Sequence, residues 1–506
     1  MAIVQGEDTQ REGRERPAGP ASLPRGSWAV LGVLGAASFF DGLDANIVAV
    51  ALPNIQRDLG GGFTTAQWAV AGYSLATAVL LITGGRLGDI YGTRRVFLIG
   101  VAGFTLSSVV VAAAAGPEML VAGRVAQGAT AALMIPQSMA VVKQQFPPEY
   151  WGIASAITGI AISAGSIGGP VVGGFLTDLD LFGTGWRAVF WINVPIGAVL
   201  LACAIRVLPE SRAESRAEKR PSLDLSGAAL VTLASLGLMF PLVQGSEHGW
   251  SPWFLALIAL SLGLWLLFAV HQKRRAAHGV DVLVPPSLFR ERTFTAGLIA
   301  ALLTFAGATS FTFLLTYYLQ FGLVWSSTRT ALAVAAVPLG IAVVFQIAWK
   351  YGPGRPRLFI TAGALTMAAA ALTMAAMAAV GQTTFALLIV VAFLLGAGTG
   401  LTSPVLTSVL LVSLPPREAG AGAGVIYSAT QFGSAVGIAL IGAVFFGGLG
   451  EIDGGAPART EAATEMYAGA LGTALLCTAG IFVLVALVAR ALPRLGAEPT
   501  KDPVPL

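Results

Sequence analysis

The chain has 506 residues, of which 55% are hydrophobic and only 11% charged, and its formal net charge is +4. Soluble domains carry roughly 25% charged residues, so a mean hydropathy of +0.77 excludes a soluble globular enzyme or binding module. The basic pI near 9.2 then reports membrane topology rather than nucleic-acid binding.

Residues 1–27 are polar and charged, without the apolar stretch and small-residue cleavage site of a signal peptide, and are expected to form a disordered cytoplasmic N-terminus. Fourteen apolar runs of spanning length follow, near 28–51, 65–84, 96–115, 118–141, 153–176, 188–206, 225–243, 251–270, 295–316, 328–348, 358–379, 384–409, 421–447 and 466–490. About 20 apolar residues at 1.5 Å each cross the hydrocarbon core, so the expected fold is an all-α polytopic membrane protein. Of the 30 Lys and Arg residues, 25 fall on the side of the N-terminus, while only Arg57, Arg187, Arg329 and Arg459 fall opposite and Arg124 lies within a span. The positive-inside rule places both termini in the cytoplasm.

Span 1 carries two carboxylates, Asp41 and Asp44, whereas acids elsewhere fall in loops, tails or span ends. A carboxylate in hydrocarbon is expensive unless paired, hydrated or protonated, and so marks a functional site. Between spans 2 and 3 runs Gly85-Arg-Leu-Gly-Asp89-Ile-Tyr-Gly92-Thr-Arg94-Arg95. Its glycines permit a tight turn, and Asp89 can cap a helix or meet Arg94 or Arg95; such a loop could latch one face, or be a solvated turn placed by topology. In span 4, Arg124 lies about 9 Å from the outer end and Asp44 about 10 Å from the outer end of span 1, at 1.5 Å per helical residue. A carboxylate and a guanidinium at one depth can pair, and making or breaking the pair changes how readily the acid holds a proton. The alternatives are a static ion pair or a snorkelling arginine. Gln127 sits one turn deeper.

Span 5 reads Gly165-Ser-Ile-Gly-Gly169-Pro170-Val-Val-Gly173-Gly174. Glycines at i, i+4 spacing let a neighbouring helix approach backbone to backbone, and Pro170 adds a bend; ordinary small-residue packing is the plainer alternative. Span 6 opens with Trp186-Arg187-Ala-Val-Phe-Trp-Ile-Asn193-Val-Pro195-Ile-Gly197. The 207–224 linker is charged and has no phosphate-binding loop or zinc spacing. His248, His271 and His278 form no catalytic constellation, and Cys203 and Cys477 read as small apolar fillers. Neither an enzyme nor a cofactor is expected.

An internal repeat links the two ends of the chain. A shift of 268 residues carries Gly128 onto Gly396, Pro136 onto Pro404, Pro147-Pro148 onto Pro415-Pro416, Gly165 onto Gly433 and Gly169 onto Gly437. The expected organisation is a six-helix bundle (28–206), the linker (207–224), two inserted helices (225–270), a second linker (271–294), a second six-helix bundle (295–490) and a cytoplasmic tail (491–506). Parallel repeats of this kind build alternating access in transporters.

The 85–95 loop resembles the signature loop of the major facilitator superfamily, departing from it at Ile90 and Thr93, where the family often has basic residues. Arg124-Val-Ala-Gln127-Gly128 resembles the family's second motif, and the glycines of span 5 resemble the motif of its antiporters. Leu43-Asp44-Ala-Asn-Ile-Val-Ala-Val-Ala-Leu52-Pro53 and the Trp186 stretch are similar to motifs of its fourteen-span drug:proton antiporter branch. The resemblance implies a major-facilitator fold in a bacterial plasma membrane and export of hydrophobic or cationic small molecules in exchange for protons. It puts Asp44 on the family aspartate, with Asp41 assisting and Arg124 biasing the pair, and gives Asp89 and its loop the inner gate. A monomer suffices, the proton gradient is the energy source, and the partners are a small molecule, protons and lipid, not nucleic acid. Residues expected to line the cargo cavity are Phe40, Trp68, Tyr73, Gln127, Tyr317, Tyr318, Gln320, Tyr427 and Gln431, because aromatic faces suit flat or cationic molecules. Two other readings stay open: a dedicated exporter of an endogenous metabolite, lipid precursor or siderophore, and a non-transporting membrane sensor or scaffold.

Overall fold

The structure is a computed structural model that describes residues 26–60, 62–147, 150–180, 183–210, 223–415, 418–449, 458 and 460–492. Of the expected N-terminus, first linker and tail, residues 1–25, 211–222 and 493–506 lie outside the described residues.

Among the described residues, fourteen helices are long and apolar enough to cross a membrane: α1 Ser27–Leu59, α2 Phe63–Tyr91, α3 Thr93–Ala112, α4 Pro117–Gln145, α5 Trp151–Leu179, α6 Gly185–Val207, α7 Leu225–Gly245, α8 Pro252–Ala277, α9 Arg292–Gly322, α10 Ser327–Tyr351, α11 Pro356–Val380, α12 Phe385–Val412, α13 Gly420–Gly447 and α14 Glu461–Ala491. No strand occurs among the described residues. Backbone groups have no water to bond in hydrocarbon, so each span satisfies its own as a helix. An even number of crossings returns the chain to the face from which α1 starts, here called the terminal face.

Two helix breaks have local causes. α6 begins as a 3₁₀ turn at Gly185–Arg187 and restarts at Asn193. Pro195 falls in the first turn of that restart, where its missing N–H has no intrahelical partner to lose. α9 ends in a π-helical segment, Tyr318–Gly322, a form that often marks functional positions.

The two halves repeat each other in their close contacts. A Cβ on Gly165 or Gly169 of α5 would strike the carbonyl oxygens of Phe39 or Leu43 in α1, and one on Gly433 or Gly437 of α13 would strike those of Leu302 or Ala306 in α9. In the same way Gly128 of α4 meets the Tyr73 carbonyl of α2, and Gly396 of α12 meets that of Val337 in α10. α7 and α8 pack on each other, and α7 also packs on α2 and α13, so the inserted pair sits at the seam between the halves. There Trp265 meets Phe432 edge to face at 5.6 Å.

The halves close on the face opposite the termini. Asn54 Nδ2 donates to Ser327 Oγ at 2.9 Å, Thr328 N donates to Asp178 Oδ2 at 2.8 Å, and Gln320 Nε2 donates to the Val50 carbonyl at 2.9 Å. Phe63 stacks on Phe446 with centroids 4.4 Å apart. Toward the terminal face, Trp151, Ile153 and Ile160 of α5 are exposed.

Candidate functional site

Four helices send polar side chains to a common point inside the first half, one each from α1, α3 and α6 and two from α4. Arg124 Nη1 donates to Asp44 Oδ2 at 2.8 Å, and Asp44 Oδ1 accepts from Asn193 Nδ2 at 2.6 Å and from Gln127 Nε2 at 3.2 Å. Arg124 is held from behind, since its Nε donates to the Ala69 carbonyl at 2.8 Å and Nη1 also to Gln127 Oε1 at 2.9 Å. Ser108 Oγ accepts from Gln127 at 2.8 Å and from Asn193 at 3.3 Å, and donates to the Phe104 carbonyl. The Arg124 guanidinium carbon lies 4.6 Å from the centre of the Tyr73 ring.

Asp44, Gln127, Ser108 and Asn193 are fully buried, and Arg124 is 1% exposed. A buried ion pair is tolerated when good geometry and further hydrogen bonds replace the lost water, and removing one member leaves a stranded charge. The local folding explains the convergence: Gly128 lets α4 lie against the α2 backbone at Tyr73, which brings Arg124 under the Ala69 carbonyl, and the α6 restart aims Asn193 inward.

Asp41 lies one turn from Asp44, about 4.5 Å along the helix axis, in a different setting. Tyr73 Oη donates to its Oδ1 at 2.8 Å. It faces a cavity of about 170 Å³ between α1, α4 and α5 whose wall includes Met134, Ile135, Val142, Ile162 and Tyr427. Tyr73 therefore touches both acids' surroundings, through its hydroxyl to Asp41 and its ring face to Arg124.

Several expected cavity residues lie elsewhere. Phe40 is fully buried against Phe104, 4.9 Å away. Tyr317 and Tyr318 are 1% exposed, and Tyr317 packs on Phe321 and Phe446 at 4.4 and 4.9 Å. These rings, with the buried Gln320, belong to the closed face, where the halves meet. Gln127 is consumed by the Asp44 network, and Trp68 and Gln431 are half-buried off the cavity wall. Tyr427 lines it, and Tyr73 reaches it through Asp41.

The expected loop at 85–95 is not a loop. Gly85 and Asp89 lie inside α2, and the chain turns at Gly92 alone, with φ +92°, a conformation glycine adopts without strain. Gly84 and Gly88 press onto α4 at Ala132 and Gln137. Arg94 pairs with Glu210 at 3.7 Å and donates to the Ile205 carbonyl, Arg86 donates to the Val282 carbonyl at 3.3 Å, and Asp89 is exposed. Gly173 meets Ile47 of α1, and Gly174 meets Ser327 and Ala331 of α10 in the other half, so α5, which keeps Pro170 inside a continuous helix, touches both halves. Cys203 and Cys477 are exposed on the outer surface rather than filling the interior.

Two members of the Asp44 network carried no role in the sequence reading. Asn193 was visible within the Trp186–Gly197 motif, where an amide in an apolar run was the available signal. Ser108 had only the Ser107-Ser108 pair in span 3, and serines commonly satisfy themselves on their own helix.

The Asp224 cluster at the start of α7 was also missed. Asp224 caps the helix, accepting from Gly227 N at 2.9 Å, from His271 Nε2 at 2.9 Å and from Gln272 Nε2 at 2.7 Å. Burial raises its pKa, but the hydrogen bonds from His271, Gly227, Gln272 and Ser226 outweigh burial and hold the carboxyl below its usual value.

Comparison with known proteins agrees with this architecture. A family profile described as Major Facilitator Superfamily matches residues 34–438. The chain is 41% identical over 460 residues to a probable actinorhodin transporter of Streptomyces coelicolor, covering 88% of this chain and 78% of that one. It is 33% identical to a puromycin resistance protein of Streptomyces alboniger (93% and 92% covered) and 31% identical to a multidrug efflux pump of Mycolicibacterium smegmatis (94% and 93%). Among solved structures it superposes on a D-xylose-proton symporter with TM-score 0.62 at 15% identity, covering 93% of this chain and 98% of that one. A bacterial homologue of the human lysosomal transporter Spinster, inward-facing and unoccupied, superposes with TM-score 0.62 at 16% identity, covering 94% and 99%. With fourteen spans, a repeated six-helix architecture and this match, the chain is a multi-pass bacterial membrane protein, not an enzyme, and belongs to the Major Facilitator Superfamily.

Proposed function

We propose that the protein exports hydrophobic or cationic small molecules in exchange for protons by alternating access, with Asp44 and Arg124 as the proton-responsive pair. The observation that carries this reading is the sealed Asp44 network. An acid and a base are buried together in a membrane domain, joined by a 2.8 Å bond and served by donors from α4 and α6. Protonating Asp44 would remove the charge that holds Arg124, so one proton can repack three helices at once.

The positive-inside distribution supports cytoplasmic termini, which makes the cavity beside Asp41 open to the cytoplasm and the Asn54–Ser327 face the outer one. Cargo would enter from the terminal face while Asp44 is closed off, and Asp44 would meet outer protons after the halves rock. α5 suits that motion, because its glycines bear on α1 in one half and α10 in the other.

A second reading is favoured by one comparison: the actinorhodin transporter of Streptomyces coelicolor and the tetracenomycin C resistance and export protein of Streptomyces glaucescens are both named for a particular compound. A dedicated exporter of one endogenous metabolite would use the same pair.

The test is reconstitution into liposomes with an imposed pH gradient, following lumenal pH while organic cations, neutral drugs and aromatic polyketides are added. Proton flux stimulated by many unrelated compounds supports polyspecific export, and flux with one compound class supports the dedicated reading. No cargo-dependent flux with any of them from monodisperse protein contradicts both.

A further inference from the structure

The two aspartates of α1 differ in one respect that topology alone does not set: the Asp44 carboxylate is saturated by three donors from the protein, and the Asp41 carboxylate is not. Asp41 Oδ1 accepts from Tyr73 Oη, and among the described residues no donor reaches Oδ2. No Lys, Arg or His lines the cavity it faces.

The remaining polar groups there do not supply a countercharge either. Ser38 Oγ donates to the Leu34 carbonyl and Thr158 Oγ1 to the Ala154 carbonyl, each spending its proton on its own helix. Ser138 and the Tyr427 hydroxyl also line it and are neutral, the rest of the wall is apolar, and Met139 and Ile162 are exposed by 42%. A carboxylate left in such a place is protonated, hydrated or paired with a cation from outside the protein, and the open apolar wall makes room for the last.

Tyr73 fixes where that carboxylate points. Thr77 Oγ1 donates to the Tyr73 carbonyl at 2.9 Å and to that of Gly128 at 3.1 Å, clamping the backbone from which the phenol reaches Asp41. The phenol occupies Oδ1 and leaves Oδ2 toward the cavity.

We infer that Asp41 is the binding site for a fixed or protonated cationic nitrogen of the cargo, with the apolar wall of α4 and α5 and the Tyr427 ring receiving the attached apolar body. This rests on reading the chain as an exporter, and it takes Asp41 out of the proton-coupling role expected from its place beside Asp44.

The experiment is equilibrium binding of ethidium to the purified full-length protein in detergent, with no pH gradient, so its outcome is independent of whether protons are exchanged. Phenanthridine, the neutral parent ring, is the comparison. Asp41→Asn should weaken ethidium binding at least about tenfold, the loss of one charge–charge contact in an apolar setting, while Asp41→Glu retains most of it, and phenanthridine should bind far more weakly than ethidium to wild type. Unchanged ethidium affinity in Asp41→Asn, or equal affinity of wild type for the two probes, overturns the assignment.

Should Asp41→Asn fail to fold, Ser38→Cys in a protein with Cys203 and Cys477 replaced by Ser provides a second readout. Bound ethidium should slow maleimide modification at position 38, and modification unaffected by saturating ethidium overturns the assignment equally.

Discussion

Asn193 and Tyr73 are two of the side chains that tie the Asp44–Arg124 pair to the rest of the first half. Asn193 Nδ2 gives Asp44 its shortest bond, 2.6 Å, and its own Oδ1 is buried without a partner among the described residues. Asn193→Leu should leave Asp44 one donor short and cost about 1–3 kcal/mol in the proton-loaded cycle, read as a transport pH profile displaced from wild type with the protein still folded; an identical profile would remove Asn193 from the coupling network. Tyr73→Phe deletes the hydroxyl on Asp41 and keeps the ring beneath Arg124, whereas Tyr73→Leu deletes both. Gradient-driven transport should therefore fall less in the first than in the second, and equal losses would show that the 4.6 Å ring contact contributes nothing. What could be read from the chain at this scale was depth. Asp44 and Arg124 sit at one level of the membrane, and that suffices to make them neighbours in a bundle. Which acid faces a cavity depends on helix rotation and on where the halves part, and neither is written locally around Asp41. The aromatic residues show the same limit: Tyr317 and Tyr318 have the chemistry of a cargo wall and are buried at the closed face instead.

α5 is the element whose sequence determines its packing most directly, because its glycines stand where a neighbour's backbone passes. A Cβ at Gly169 would lie 2.7 Å from the Leu43 carbonyl, while one at Gly168 would meet nothing within 4 Å. Gly169→Ala should lower the thermal unfolding midpoint, at a cost of about 1–3 kcal/mol from overpacking, and Gly168→Ala should stay within about 0.5 kcal/mol of wild type. Comparable midpoints for the two variants would contradict the close α1–α5 contact. At α7 the cap matters instead. Because the folded carboxyl of Asp224 is held below its unfolded value of about 3.9, its contribution is fully present above that pH and is lost as pH falls through the lower folded value. Asp224→Ala should speed amide exchange in the first turn of α7 near neutral pH, by roughly 1 kcal/mol of capping, and the difference from wild type should vanish in strong acid. The spans themselves were legible because each apolar run ends in Gly, Pro or charge. In the 85–95 stretch Gly92 makes the expected turn, but Gly85 lies inside α2 and Gly88 packs on Gln137 of α4, because a glycine's use depends on what passes beside it.

The whole molecule is two similar halves that have diverged where chemistry is needed. Gly165 and Gly433 play the same part against α1 and α9, yet Asp44 and Arg124 have no charged counterparts in the spans of the second half, where Gly307 packs on Phe482. On the proposed mechanism, that asymmetry would confine the proton chemistry to one half and leave the other as the body it moves against. The closed face opposite the termini gives a direct check on rocking: Asn54 and Ser327 replaced by Cys, with Cys203 and Cys477 removed, should cross-link under oxidant, abolish transport and recover it on reduction. Cross-linked protein that still transports would show that this face need not open. The central claim is that Asp44 carries the exchanged proton, and the most direct measurement compares two modes of Asp44→Asn in liposomes. Cargo uptake driven by an imposed pH gradient should be lost, while cargo-for-cargo counterflow without a gradient persists. Gradient-driven uptake at the wild-type rate in that variant would contradict the claim.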